Sequence, residues 1–295
     1  MPSALRPDPA SQDFRYARNV SRNSGPLILK MNMNRDRDLK DLFDHYIDEA
    51  CKRTFSGWDF SYLTASKRMY EKPLKWNYFN IVKPFLLKAS CMLDMGTGGG
   101  EVLSTLSPLP PEVFATESYK PNIRIAKKNL KSLGVTVIEL EEEKEPPFNS
   151  NLPFEDEHFD LIINRHEGYY PKELRRILKV NGIFITQQVG SISVLNLLQF
   201  LNQKTVSVAN WNLKSAINEL ESYNFRIIAS GEDVAFIRFY DIGAIVYYLK
   251  AIPWLIEGFN VKSYKEKLWD IHLKIAKEGY FDVLYHCFYL VSENI

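Results

Sequence analysis

Four glycines in five positions, Gly96, Gly98, Gly99 and Gly100, constrain this chain more than any other stretch, since the whole sequence holds only 14. They follow the apolar approach Met92-Leu93-Asp94-Met95 and precede Glu101. Glycine is needed where the backbone takes a positive φ or where a ligand must come close to the main chain. The stretch reads as the strand, turn and helix start that open a nucleotide-binding α/β unit, with the helix running to about residue 106, before Pro108. Asp94 narrows the ligand. A dinucleotide site sets a diphosphate on the helix N-terminus, and a carboxylate just ahead of the turn would repel it. A cationic cofactor without phosphate tolerates that carboxylate, and S-adenosylmethionine, with its sulfonium and ammonium groups, is such a cofactor. A nicotinamide or flavin site is disfavoured twice, because the third glycine of that pattern would fall on Glu101.

Strands and helices alternate after the turn. Residues 113–117, 135–140, 159–164 and 183–189 are short apolar runs that read as strands. Between them, Ile123, Ala126, Leu130 and Leu133 make a helical stripe that starts near Pro121 and stops at Gly134. Residues 172–179, 193–201 and 213–223 read as further helices, 225–229 as a sixth strand and 281–291 as the last. This spacing predicts a mostly parallel sheet covered on both faces. Before the turn, residues 36–53 carry a helical stripe, and residues 66–88 read as a helix in two pieces, broken by Pro73 and Pro84. Residues 241–252, apolar nearly all round, must be buried or line a pocket.

The chain has 295 residues, 45% hydrophobic and 25% charged, with a net charge of +1. That is the make-up of a globular domain with additions. The absence of a basic stripe argues against nucleic acid as a partner. Cys51, Cys91 and Cys287 are widely spaced, so neither a disulfide framework nor a metal site is indicated, and a reducing cytoplasm is the simplest setting. No run of eighteen apolar residues is present, which argues against a membrane span. Residues 1–30, broken by four prolines, read as a disordered leader.

Several residues stand where chemistry is expected. Glu117 ends the second strand, where a carboxylate reaches the ribose hydroxyls of an adenosine ligand. His166, just past the fourth strand at the sheet's C-terminal edge, is the candidate general base, or else it orients substrate; Asn164, Arg165 and Glu167 share the location. Tyr169 and Tyr170 wall the pocket or simply pack. The aromatics Trp58, Phe60, Tyr62, Trp76 and Tyr78 before the turn, and Arg238, Tyr240 and Tyr247 near the end, invite the same two readings: core, or a cover over the acceptor.

The combination resembles the class I S-adenosylmethionine-dependent methyltransferases, in the generic methyltransferase-domain branch. The likeness covers residues 89–190 through Leu93-Asp94-Met95-Gly96-Thr97-Gly98-Gly99-Gly100, Ala115-Thr116-Glu117, Leu152-Pro153-Phe154 with Phe159-Asp160-Leu161-Ile162, and Leu174 to Ile183. Gly57-Trp58-Asp59-Phe60, Asn164-Arg165-His166-Glu167, Gln187-Gln188-Val189-Gly190 and Phe239-Tyr240-Asp241-Ile242-Gly243 extend it to a poorly characterised subgroup. The resemblance implies a Rossmann-like seven-stranded, mostly parallel sheet with helices on both faces, a helical cap over residues 31–88, and a domain over 89–295 with a helical insertion at about 240–278. It implies that Asp94, Gly96, Thr97, Gly98, Gly100 and Asn164 hold the methionine part of the cofactor and Glu117 its ribose. A glutamate among residues 139–145 would meet the adenine, although five glutamates in seven residues also suit a solvated loop. Trp58, Tyr78, Tyr169 and Tyr240 would face a small-molecule acceptor, methylated on oxygen or nitrogen. An RNA-base acceptor and a non-catalytic cofactor-binding protein are the alternatives.

Overall fold

The computed structural model describes residues 35–55, 59–141, 146–203 and 210–295. The expected leader and Trp58 lie outside the described residues. Helix α1 (Arg35–Lys52), the short α2 (Ser61–Ala65), strand β1 (Met69–Glu71) and helix α3 (Tyr78–Leu86) come first. There follow β2 (Cys91–Met95), β3 (Glu112–Glu117), α4 (Lys120–Leu130), β4 (Thr136–Glu139), β5 (Phe159–Arg165), α5 (Pro171–Ile177) and β6 (Leu178–Val189). The chain ends through α6 (Leu195–Phe200), α7 (Leu213–Ser222), β7 (Phe225–Phe239), α8 (Ile242–Ala251), α9 (Lys265–Glu278) and β8 (Phe281–Asn294).

All eight strands form one sheet in the order β4-β3-β2-β5-β6-β8-β7-β1. Strands β4, β3, β2, β5 and β6 are mutually parallel, β8 is antiparallel to both β6 and β7, and β1 is antiparallel to β7. Six strands therefore run one way and two the other, which is the Rossmann-like, mostly parallel sheet expected. The count is eight rather than seven because Met69–Glu71, read from sequence as helix, extends the sheet along the outer edge of β7. Two other expectations are corrected. No α-helix follows the glycine turn; a turn and a single 3-10 turn at Leu103–Thr105 take its place, as three successive glycines disfavour helix. Strand β7 runs fifteen residues instead of five, because Gly231-Glu232-Asp233, which looks like a turn, stays paired to β8.

That longer ladder shapes the molecule. Phe239 pairs with Phe281 and Ala235 with Tyr285, whereas the β6–β8 pairing already ends at Val189 and Cys287. Strands β7 and β8 thus rise past the C-terminal edge of the parallel sheet as a two-stranded arm. Helices α1, α6, α8 and α9 bury an apolar cluster against one face of this arm, with Phe43, Leu197, Ile245, Leu268 and Val283 at its centre. Nine of the ten residues of α8 are buried, which accounts for its nearly unbroken apolar sequence. A second cluster, under α3 and α4, lies on the same face of the sheet, and a third, under α5 and α7, on the other.

A buried ion pair pins the cap to the arm. Arg68 donates from Nε and Nη2 to the two oxygens of Asp241, each at 2.7 Å, and from Nη1 to Glu49 of α1 at 3.0 Å. Asp241 also caps α8 by accepting the Ala244 N–H at 2.8 Å. From β1 the chain then crosses the sheet as a strap. The Lys72 N–H donates to the Phe236 carbonyl and the Lys75 ammonium lies 3.0 Å from Asp233, both on β7. Trp76 packs at a tilt against Tyr289 of β8 and donates to Gln187 of β6 at 2.9 Å, and the Tyr78 hydroxyl donates to the Asn164 carbonyl of β5 at 3.2 Å. Among the described residues no helix is long and apolar enough to cross a membrane.

Candidate functional site

Side chains alternate between the two faces of a strand. Asp94, Glu117 and Arg165 project from the face on which Met92, Ala115 and Ile163 pack beneath α3 and α4. All three stand at or near the C-terminal ends of adjacent parallel strands, and β2 and β5 flank the point where strand order reverses. Ligands of open α/β sheets bind at that edge.

The glycine turn is shaped by its backbone. Gly96, Gly98 and Gly100 have φ values of 65°, 64° and 80°. Gly96 is also held by a close approach, since a Cβ there would come within 2.5 Å of Glu167 Cγ. The Gly96 and Thr97 N–H groups donate to Thr116 of β3, to Oγ1 at 3.2 Å and to the carbonyl at 2.9 Å, which ties the turn to the neighbouring strand. Thr97 is buried in the turn.

Asp94 is 5% exposed and has no ion pair with a described residue. Burial pushes its pKa from 3.8 to about 7, helped by the negative charge of Glu117 and opposed by the Thr97 hydroxyl and the Arg165 charge. Glu117, 6% exposed, is also pushed up by burial and is held down by backbone N–H groups, including those of Tyr119 and of Gly98 in the turn. The Tyr119 N–H donates to its Oε1 at 2.7 Å. Two sequestered carboxylates that lack a cation therefore flank a glycine turn. A ligand that brings positive charge relieves Asp94, and a diol can donate to Glu117; this donor set fits S-adenosylmethionine.

Asn164 sits differently from the expectation. Its side chain lies on the opposite face, fully buried, where Oδ1 accepts from Thr186 Oγ1 at 3.0 Å and from Gln188 Nε2 at 2.8 Å. Only its backbone reaches the cofactor side, through the carbonyl that Tyr78 engages. Tyr78 is buried beneath the strap, close enough to Asp94 for that charge to raise its phenol pKa, behind the larger effect of burial. Tyr169 packs edge-on to Phe184, 5.1 Å between centroids, on the face away from Asp94, so it is core rather than pocket wall. Tyr240 is half-buried beside the Arg68–Asp241 pair, with its N–H on the Arg68 carbonyl, and joins the cap rather than the carboxylates. Glu139 is exposed and lies 3.5 Å from Lys127, while residues 142–145 fall outside the described residues.

His166 has a left-handed backbone, φ 67°, held by its N–H on the Gln187 carbonyl at 2.8 Å. Its ring tautomer follows from its neighbours. Trp76 Nε1 can only donate, so the Gln187 oxygen that it meets is an acceptor, and the Gln187 amide nitrogen faces His166 Nε2 at 3.3 Å. His166 Nε2 is then the acceptor and Nδ1 carries the proton. His166 is exposed to solvent, yet the protein packed around it and the adjacent Arg165 charge hold its pKa below 6.5, so the imidazole is neutral at pH 7. A neutral ring whose lone pair already faces an amide donor is set up to orient a ligand through Nδ1–H. General-base action would need that Gln187 contact to break.

Two charged groups at this edge lay beyond sequence reasoning. Arg165 was placed only by location. Glu71 was missed because its strand read as helix, and no local signal marks it. The Trp76–Gln187–His166 chain was equally hidden, since it joins residues 111 and 21 positions apart.

Comparison with known proteins agrees with this arrangement. Residues 93–186 match the family described as "Methyltransferase domain". The chain is 26% identical over 101 residues to YcgJ of Bacillus subtilis, an uncharacterized methyltransferase; the match covers 32% of this chain and 38% of that relative's length. A Bacillus halodurans protein assigned to the methyltransferases superposes with a TM-score of 0.51 at 14% identity, over 73% of this chain and 99% of its own. The solved structure of YcgJ gives a TM-score of 0.47 at 17% identity, over 73% and 97%. The family implies S-adenosylmethionine as its methyl donor. Residues 93–186 thus resemble a methyltransferase domain, and the sheet around them has the fold of the Bacillus halodurans protein.

Proposed function

We propose that this protein is an S-adenosylmethionine-dependent methyltransferase that acts on the oxygen or nitrogen of a small-molecule acceptor in the cytoplasm. The observation that carries the reading is the buried, unpaired Asp94 at the glycine turn, with Glu117 joined to that turn through the Gly98 N–H. Asp94 would hold the cofactor's cationic methionine end, the bare backbone of Gly96 to Gly100 would let it approach, and Glu117 would take the ribose diol. The cofactor supplies a methyl group already activated on a sulfonium, so positioning of the acceptor supplies most of the rate. The neutral His166 would orient the acceptor through Nδ1–H, and Tyr78 and the strap would shield the site from water. A cap standing over the carboxylate edge favours a small acceptor over a polymer, and a net charge of +1 agrees.

Calorimetric titration with S-adenosylmethionine is the test. Binding by the wild type that weakens at least tenfold in both Asp94→Ala and Glu117→Ala supports the reading. Equal binding by the variants would sink the site assignment. Labelled methyl donor incubated with cell extract then distinguishes small-molecule from RNA acceptors. A His166→Ala variant that keeps full turnover rules out general-base action.

A further inference from the structure

Two exposed charges of opposite sign, on the face of the sheet that carries Asp94, make no ion pair with a described residue. Arg165, the last residue of β5, is exposed, and its side chain makes no hydrogen bond or ion pair with a described residue. Glu71, the last residue of β1, is likewise exposed and likewise unpaired. They stand on strands that flank β8 on its two sides. Arg165 shares its face of the sheet with Asp94, and Glu71 shares the Met69 face, which packs on Phe239 and Ile237 of the arm. Cys287 and Tyr285 of β8 lie between them on that same face, with Tyr248 of α8 above.

The two charges also share neighbours. The Arg165 charge acts on Asp94 and His166 at the cofactor edge and also on Glu71, Tyr285 and Cys287 under the cap. The Glu71 charge reaches Tyr248, Tyr285 and Cys287. Surrounding protein raises the Glu71 pKa, and Arg165 offsets only part of that rise. The two charges thus act on the same buried pair, Tyr285 and Cys287, without closing on each other. A bound acceptor displaces the water that now solvates them, and an unmatched charge in such a site costs several kcal/mol. A ligand that carries its own opposite charges removes that cost at both ends.

We infer that Arg165 and Glu71 form the acceptor subsite and select a zwitterionic, amino-acid-like acceptor. Its carboxylate pairs with the Arg165 guanidinium, its protonated nitrogen faces Glu71, and Tyr248 and Tyr285 wall its side chain. The inference rests on the methyltransferase reading. It adds the acceptor's chemical class and assigns Glu71 and Arg165 to acceptor rather than cofactor.

The test uses the full chain, its Arg165→Gln and Glu71→Gln variants, and a panel of L-amino acids and N-methyl amino acids, each paired with its amide and its decarboxylated amine. Calorimetry first measures S-adenosylhomocysteine binding. Failure of the wild type to bind it overturns the methyltransferase reading itself. The loaded protein is then titrated with the panel, and methyl transfer from labelled donor is followed. The inference expects both variants to bind S-adenosylhomocysteine within about twofold of wild type at pH 8.5, where Asp94 is mostly ionised. It expects at least one zwitterion to bind the loaded wild type, tenfold or more better than its amide or its amine. Arg165→Gln should erase the preference over the amide and Glu71→Gln the preference over the amine, each with a tenfold rise in KM where turnover is seen. Three results overturn it: no zwitterion binds the loaded wild type at millimolar concentration; the neutral partners bind as well; or Arg165→Gln weakens S-adenosylhomocysteine tenfold, which would place Arg165 on the cofactor's own carboxylate.

Discussion

The burial of Asp94 makes cofactor affinity depend on pH in a way that can be worked out in advance. With a pKa of about 7, its carboxyl is about half ionised at pH 7 and about one-tenth ionised at pH 6. A cationic ligand engages only the ionised form. Apparent affinity for S-adenosylmethionine should therefore fall about tenfold from pH 8 to pH 6, and about a further tenfold by pH 5. At pH 7 binding should release about half a proton, measurable by calorimetry in two buffers of different ionisation enthalpy. Glu117 is also shifted upward and adds in the same direction, so Glu117→Gln serves as the control that isolates Asp94. Asp94→Asn should bind weakly at every pH and keep only the part of the slope that Glu117 contributes. The ligand-free protein carries the opposite sign. Between the unfolded value of 3.8 and the folded value of about 7, the native state holds the extra proton, so stability is lost as pH rises through that window. The shift of about three pKa units corresponds to about 4 kcal/mol. Asp94→Asn should therefore be more stable than wild type by up to about that amount above pH 7, and equal to it below pH 3.8. Urea unfolding at pH 4, 5.5 and 8 reads the difference. A cofactor affinity that is flat from pH 8 to pH 5.5, or an Asp94→Asn variant no more stable at pH 8 than at pH 4 relative to wild type, would refute the reasoning.

Other perturbations follow from the packing. Gly96→Ala combines a positive φ with a Cβ 2.5 Å from Glu167 Cγ, so thermal melts should show a loss of about 2 kcal/mol or more, together with weaker cofactor binding. Arg68→Met strands the buried Asp241, and urea titration should show a loss of about 3 to 5 kcal/mol; the Arg68→Met/Asp241→Asn double variant should recover part of it. Gly190→Ala would put a Cβ 2.0 Å from His286 Nδ1, displacing the ring from its 2.9 Å contact with Glu232, with a loss of about 1 to 3 kcal/mol by chemical denaturation.

The glycine turn and its two carboxylates were legible in sequence because their signals are local. Asp94, the glycines and Glu117 lie within 24 consecutive positions. The cap and strap beside them were not legible, since they are assembled by pairing across long separations: Met69 against Phe239, Lys75 against Asp233, Arg68 against Asp241. No period or motif announces such contacts. Strand β1 is only three residues long, too short for alternation to show. Asn164 misled for a different reason. It occupies the expected sequence position, yet strand pleat turns its side chain to Thr186 and Gln188, and pleat phase is fixed by neighbours rather than by motif. Tyr169 and Tyr240 were ambiguous for the general reason that aromatics serve core and pocket alike.

The strap between β1 and α3 has a consequence for the order of assembly during synthesis. The strands that carry Asp94, Glu117 and Arg165 are complete once residue 189 has been made. The strap's track is not. It needs Asp233 and Phe236 of β7 and Tyr289 of β8, all made after residue 189. The strap must therefore wait for β7, since Asp233 follows Lys75 by 158 residues, and for β8 after it. The strands under Asp94 and Glu117 are made well before the strap can close, and on the proposal above the choice of acceptor is the last property to form.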